Sequence, residues 1–138
     1  MTQLVNDYVA LEQKFARIAC LNEAASMLSW DAAAMMPDGG AEARAEQLAT
    51  LAGLAHEFLS APEIAENLAA ARPETDWQEA NVALMREAHI RATALPRDLV
   101  EASVRAGRAC ESLWRQARQE GNFAAVQAAL TEVVNLTR

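Results

Sequence analysis

Apolar side chains recur at alternating spacings of four and three near the start of the chain, at Leu4, Tyr8, Leu11, Phe15 and Ile18. That spacing lays one apolar stripe along one face of a helix. It predicts a long first helix from about Thr2 to about Met35. After Ile18 the pattern changes. The stretch AASMLSWDAAAMM, from Ala24 to Met36, is apolar nearly all round, as expected of a helix covered on several sides. Pro37-Asp38-Gly39-Gly40 then stops the helix, because proline cannot continue the hydrogen-bond ladder and glycine favours open turns. A helix–turn–helix corner is therefore expected at Met36–Ala41.

The same reading yields five further helices. The second runs from about Ala41 to Leu59, with Leu48, Leu51, Ala55 and Phe58 as its inner stripe and Glu42 and Glu46 near the positive end of its dipole. A short third helix starts at Pro62, a residue favoured in a first turn, and fades at Arg72-Pro73. Thr75 with Gln78 three residues on matches a capping box for a fourth helix, from Asp76 to about Thr93, closed by Leu95-Pro96. The fifth spans about Arg97 to Gln119, with Leu99, Ser103, Gly107, Cys110, Trp114 and Ala117 as inner positions. Gly121 ends it and Asn122 caps the sixth, whose stripe is Phe123, Val126, Leu130, Val133 and Val134. Nothing reads as a strand. The expected fold is all-α, about six helices in an antiparallel bundle forming one helical domain over 1–138.

Composition narrows this picture. Hydrophobic residues make up 52% and aromatics only 5%, so Ala and Leu dominate, and both are strong helix formers. A net charge of −7 argues against nucleic acid or an anionic membrane surface as partners. No apolar run approaches the roughly 20 residues that span a bilayer. The N-terminal MTQLVNDYVALEQKF lacks the pattern of a signal peptide, so a cytoplasmic location is expected. Cys20 and Cys110 fall within helical patterns and read as small core residues, not a disulfide framework.

Candidate chemistry is sparse. The two histidines are His56 and His89. His56-Glu57-Phe58-Leu59-Ser60 nearly spells HExxH, the helical zinc motif, but Ser60 stands where the second histidine belongs, and catalytic zinc needs three protein ligands. The bland reading is that His56 is a partly buried helix residue with a local partner. Di-iron bundles need Glu three residues before His; Gly53 and Arg86 hold those places. Cys110 sits on an apolar face, where a thiol is inert. Asp38-Gly39-Gly40 is too short and acidic to cradle phosphate. No catalytic and no metal-ligating residue is expected in this chain.

One stretch carries a distinctive constellation: Trp30-Asp31, Met36-Pro37-Asp38-Gly39-Gly40, Arg44-Ala45-Glu46-Gln47-Leu48, Leu51 and His56. Trp30 is expected to supply a large buried surface. Asp31 lies near a helix C-terminus, where negative charge is unfavourable, so it needs a partner, and Arg44 on the returning helix is the natural one. Two readings of this cluster stand. It locks the corner, or it lines part of a substrate groove.

The same residues resemble the N-terminal region of the carboxypeptidase Taq family of zinc metallocarboxypeptidases. Trp30, Asp31, Met36, Pro37, Gly39, Gly40, Arg44, Ala45, Gln47, Leu48, Leu51 and His56 match its pattern. So do Leu95-Pro96 with Leu99-Val100, then Ser112, Trp114 and Ala117, then Asn122-Phe123, and Leu130 through Leu136-Thr137-Arg138. The chain departs from the family at Asn122, where Asp is usual, and near Gln127–Ala128, where Pro is frequent. Family members are much longer, and their HExxH, third zinc ligand and substrate-binding residues match no position here. The resemblance implies that the full enzymes use zinc to cleave single residues from peptide C-termini. For this chain it implies a helical N-terminal layer flanking the peptide groove, without zinc or activity of its own and partnered by the remainder of a metallocarboxypeptidase. The alternative is a truncated stand-alone relative, a self-associating binding or structural module. A different helical enzyme with an unseen site is the third reading. The first two leave apolar surface uncovered, best at Ala24–Met36, and patches of that kind drive association. A homodimer is expected.

Overall fold

The computed structural model describes residues 7–138. Six α-helices follow in chain order: α1 (Asp7–Ala34), α2 (Ala41–Ser60), α3 (Pro62–Ala70), α4 (Asp76–Thr93), α5 (Arg97–Glu120) and α6 (Ala124–Leu136). One 3-10 turn, Asp38–Gly40, forms the corner between α1 and α2. No strand occurs among the described residues. The expected all-α architecture holds, with ends placed within a residue or two. Leu4 and the start expected near Thr2 lie outside the described residues.

The helix ends follow from local chemistry. Pro62 occupies the first turn of α3, where its missing N–H is no loss. The Thr75 hydroxyl accepts the Gln78 N–H at 3.3 Å and starts α4. The capping box is only half made. The Gln78 side chain accepts from the Glu74 N–H at 2.7 Å, one residue before the cap. Gly121 adopts φ +64°, a left-handed conformation that suits glycine, and closes α5. Asn122 Oδ1 then takes the Ala125 N–H at 3.3 Å at the start of α6.

The largest apolar cluster joins the first half of α1 to α3 and α4. Tyr8, Leu11, Ile64, Leu68, Ala71, Val82 and Met85 are buried together, with Phe15 packed against them. The α1 stripe read from spacing is therefore the core face. Complete burial of Leu11 and of Ile64 is worth roughly 1.5–3 kcal/mol each.

The second half of α1 behaves differently. Trp30 is 61% exposed, Met27 68% and Met35 71%. The expectation of a Trp30 buried in the corner is thus wrong. Asp31 and Leu28 turn toward α2, and Trp30 lies about 100° from Asp31 round the helix, on a face that no described element covers. Cys20 is likewise exposed, not part of the core, and Cys110 is half-buried; both are free thiols.

Helix α5 lies against α2 through charge. Arg97 pairs with Glu57 and Arg105 with Glu46, so the two helices run antiparallel. Glu101, whose side chain is 19% exposed, bridges Arg97 (2.8 Å) and Arg105 (3.2 Å). It crosses α2 at Gly53, where an added Cβ would meet Glu101 Oε1 at 2.1 Å. The inner positions read from the α5 sequence hold only in part. Ala117 is buried and Leu99, Ser103, Gly107 and Cys110 are half-buried, but Trp114 is exposed with Arg118 stacked on its ring. An apolar-stripe reading cannot see that Arg97, Glu101 and Arg105 of α5 also contact α2 or one another through ion pairs.

The Arg97 hydrogen bond first, then that of Arg105, holds the Glu101 carboxyl below its ordinary value of 4.5, and Arg105 does the same for Glu46. Depressed carboxylate values stabilise the fold above 4.5 and cease to do so as pH falls through the folded-state value. Thermal stability should therefore decline below about pH 4.5, and Arg105→Gln should flatten that decline in melts recorded from pH 7 to 3. Gly53→Ala gains helix propensity of roughly 1 kcal/mol, yet it displaces Glu101 from both arginines. It should lower the melting temperature in the native background and raise it in a Glu101→Ala background.

Candidate functional site

The corner is built by main-chain geometry first. The Asp31 carbonyl accepts from the N–H groups of both Met35 and Met36 at 2.9 Å, and the Gly40 N–H bonds the Pro37 carbonyl at 2.8 Å. A Cβ at Gly40 would sit 2.9 Å from Met36 Cγ, so any side chain there would have to displace Met36. This turn brings the first turn of α2 against the last turns of α1.

Arg44 then ties the two helices. Its Nη1 donates to Asp31 Oδ2 at 2.5 Å and to the Leu28 carbonyl at 2.8 Å, while Nε donates to Gln47 Oε1 at 2.9 Å. The Arg44 side chain is only 18% exposed. The pairing expected from dipole logic is present, and Gln47 completes it. Asp31 gains a positive neighbour where the C-terminal end of α1 would otherwise repel it.

A third partner was not legible as such in the sequence. Arg108 Nη2 of α5 donates to Ser29 Oγ at 2.7 Å, and Arg115 Nη1 donates to the Ala32 carbonyl at 3.1 Å. Glu111 stands between them, 3.0 Å from Arg108 Nη1 and 2.7 Å from Arg115 Nη2. The Arg115 hydrogen bond is the main cause holding the Glu111 carboxyl below its ordinary value. The spacing Arg108–Glu111–Arg115 is a helical ion-pair pattern, the one signal that could have flagged these residues. A small cavity of about 50 Å³ remains between Ala32, Met36, Arg44, Arg108, Glu111 and Arg115.

What this arrangement can do is limited by its protonation. Three guanidiniums face Asp31 and Glu111, and both carboxylates accept hydrogen bonds from arginine. Ser112 also lines the cavity, but a nucleophilic serine needs a base able to take its proton, and a carboxylate held ionised between two arginines is a poor one. Charged and polar contacts join α1, α2 and α5 at this corner.

His56 lies elsewhere, twelve residues or roughly 18 Å further along α2. Its Nε2 is 2.9 Å from the Ala92 carbonyl and 2.8 Å from that of Leu95. Carbonyls only accept, so Nε2 carries the proton. The expected partner was local; the observed partners belong to the α4–α5 junction. Nδ1 is buried and unpartnered. The adjacent Glu57 is paired with Arg97 and faces α5. His56-Glu57 therefore does not fit a zinc ligand pair. Among the described residues, no group of three or more His, Cys, Asp or Glu side chains could hold a metal ion. Of the candidates named from sequence, Asp31, Met36, Pro37 and Arg44 meet at the corner, while Trp30 and His56 stand apart from it.

Removing Arg44 leaves the Asp31 carboxylate without its cation at a helix terminus. Arg44→Ala should cost about 1–2 kcal/mol in urea unfolding, discounted for the partial exposure of Asp31, against the roughly 0.5 kcal/mol of an ordinary surface change. An unchanged midpoint would overturn that expectation.

Comparison with known proteins gives this geometry a context. The chain is 32% identical over 126 residues to thermostable carboxypeptidase 1 of Thermus thermophilus, an alignment covering 87% of this chain and 25% of that protein. Among solved structures, that of CHT superposes with a TM-score of 0.66 at 32% identity, covering 96% of this chain and 27% of the other. Metallocarboxypeptidase 1 of Trypanosoma cruzi superposes with a TM-score of 0.69 at 27% identity, covering 94% and 27%. The chain thus spans about a quarter of the length of the relatives it matches. The family model of the carboxypeptidase Taq (M32) metallopeptidases matches residues 10–138, and the chain belongs to that family.

Proposed function

We propose that this chain forms an N-terminal helical portion of a metallocarboxypeptidase-like protein and has neither a zinc site nor peptidase activity by itself. The observation that carries this reading is the family match over 10–138 on a chain spanning only a quarter of its relatives. The chemistry of the present residues supports it. The one HExxH-like stretch spends His56 on backbone carbonyls and Glu57 on Arg97. In this reading the residues here do structural work: the Asp31–Arg44 corner fixes the angle of α1 against α2, and the α2–α5 wall flanks the peptide groove of the assembled enzyme. Metal chemistry would come from residues outside this chain, so no catalytic step is assigned to any residue in it.

A second reading draws on the uncovered face of α1. From Ala24 to Pro37 the exposed positions are Ala24, Ser26, Met27, Trp30, Ala33, Ala34, Met35 and Pro37, none of them charged. A stand-alone relative would self-associate through such a face, giving a homodimer. We place either reading in the cytoplasm; separately, no helix among the described residues is long and apolar enough to cross a membrane.

One preparation tests both. The purified chain, incubated with equimolar zinc and dialysed, should retain no stoichiometric metal and release no C-terminal residue from peptides. One tightly held zinc per chain would overturn the first reading. Light scattering that finds only monomer at high micromolar concentration would overturn the second.

A further inference from the structure

The recess at the corner of α1, α2 and α5 holds more positive charge than its carboxylates neutralise. Its charged lining is Arg44, Arg108 and Arg115 against Glu111. Asp31 lies outside that lining and accepts from Arg44. Three guanidiniums against these two carboxylates leave one positive charge over. Glu42, Glu46 and Glu120 line adjoining grooves and not the recess, and Glu46 is engaged by Arg105. The excess is local, since the chain as a whole carries −7.

The same guanidiniums keep donors in reserve, because each offers N–H groups on all of its nitrogens. Arg44 engages Asp31 and the Leu28 carbonyl through Nη1, and Gln47 through Nε. Arg108 and Arg115 engage Ser29, Glu111 and the Ala32 carbonyl through their Nη atoms. Among the described residues, Arg44 Nη2 and the Nε atoms of Arg108 and Arg115 meet no acceptor. The Arg44 and Arg108 side chains are 18% and 32% exposed. Ala32, Met36, Ala41 and Ala45 give the recess apolar walls. Water therefore screens this charge less than it would on an open surface. The volume of about 50 Å³ is well above the roughly 10–15 Å³ that one water needs. The recess shares Met36, Ser112 and Arg115 with an open groove of about 660 Å³, through which a small ligand can enter.

We propose that this recess binds one small carboxylate ion. A carboxylate supplies a single negative charge, which matches the excess, and two coplanar oxygens, which match the guanidinium fork. A dianion such as sulfate overcompensates the charge and lies against Glu111. The Ser112 hydroxyl, idle as a nucleophile, is a further donor to the ion. Bound there, the ion bridges Arg44 of α2 to Arg108 and Arg115 of α5, beside the end of α1. The site does not depend on the chain being part of a peptidase, and the zinc measurement above is independent of it.

The test is acetate labelled with carbon-13 at its carboxyl carbon, titrated against the purified chain near neutral pH and followed by NMR linewidth. Broadening should saturate and be reversed by unlabelled formate, whereas sulfate at matched ionic strength should not reverse it. Arg115→Gln should weaken binding about tenfold or more, the loss expected with a hydrogen bond to a charged group. Glu111→Gln should tighten binding severalfold although it removes two ion pairs, because it enlarges the excess positive charge. Arg91→Gln, exposed on α4, should change nothing. Circular dichroism melts identify any variant that fails to fold, and Arg108→Gln then stands in for Arg115→Gln. Broadening that never saturates, or that persists unchanged in the arginine variants, would mark an adventitious ion only and overturn the proposal. Weaker binding by Glu111→Gln would overturn it too, since the recess would then be a closed ion-pair network. Displacement of acetate by N-acetyl-diglycine at far lower concentration than by formate would give the recess to a carboxylate carried on a peptide, against the free ion proposed.

Discussion

Helix C-termini leave carbonyl groups that no amide within the helix can reach, and this fold depends on how those groups are satisfied. Glycine closes one helix, α5. At the ends of α1 to α4, cations and imidazoles meet further acceptors, several of them from neighbouring helices. Arg115 of α5 donates to the Ala32 carbonyl near the end of α1. His89 of α4 donates to the Leu59 carbonyl at the end of α2, and His56 of α2 bonds the Ala92 and Leu95 carbonyls at the end of α4. Arg86 bonds the Leu68 carbonyl of α3, and Arg72 closes that helix on Ala69, Ala70 and Ala71. Each bond offsets a desolvation cost and also places a positive or donor group at the negative end of a dipole. The two histidines are spent reciprocally on this task, His56 on the end of α4 and His89 on the end of α2.

The polar character of the contacts between α5 and its neighbours follows the same logic. Lysine could supply charge, but arginine presents a planar fork of donors that can serve a carboxylate and a carbonyl together. Arg44 does so with Asp31 and Leu28, and Arg115 with Glu111 and Ala32. Such contacts give geometric definition more than bulk stability, since partly exposed pairs are worth little individually. The apolar core between α1, α3 and α4 supplies the driving force, and the arginine contacts fix how α5 sits against α2 and the end of α1.

A chain that spans a quarter of its relatives and leaves Met27, Trp30, Met35 and a groove between α5 and α6 uncovered has two kinds of surface. One is closed by ion pairs and capped carbonyls. The other is apolar and open. Residues that carry the family resemblance fall on both. Asp31 and Arg44 are satisfied inside this chain, while Trp30, Leu99 and Leu136 are wholly or partly open to solvent.

The sequence by itself determined the helices, their ends and the inner face of α1, because spacing, proline, glycine and capping residues act over a few neighbours. It also determined the Asp31–Arg44 pair, since a short turn leaves an acid at a helix terminus only one nearby cation to meet. It did not reveal that Trp30 faces outward, because an apolar residue reads as buried until the packing partner is known to be absent. Nor did it reveal the α5 contacts through Arg97, Glu101, Arg105, Arg108 and Glu111, because periodicity of charge looks the same on a solvated face and on one paired across helices. His56 was misread as locally bonded for the same reason. Its partners lie 36 and 39 residues away, and only the tertiary structure, by bringing the end of α4 to the side of α2, decided what its proton is for.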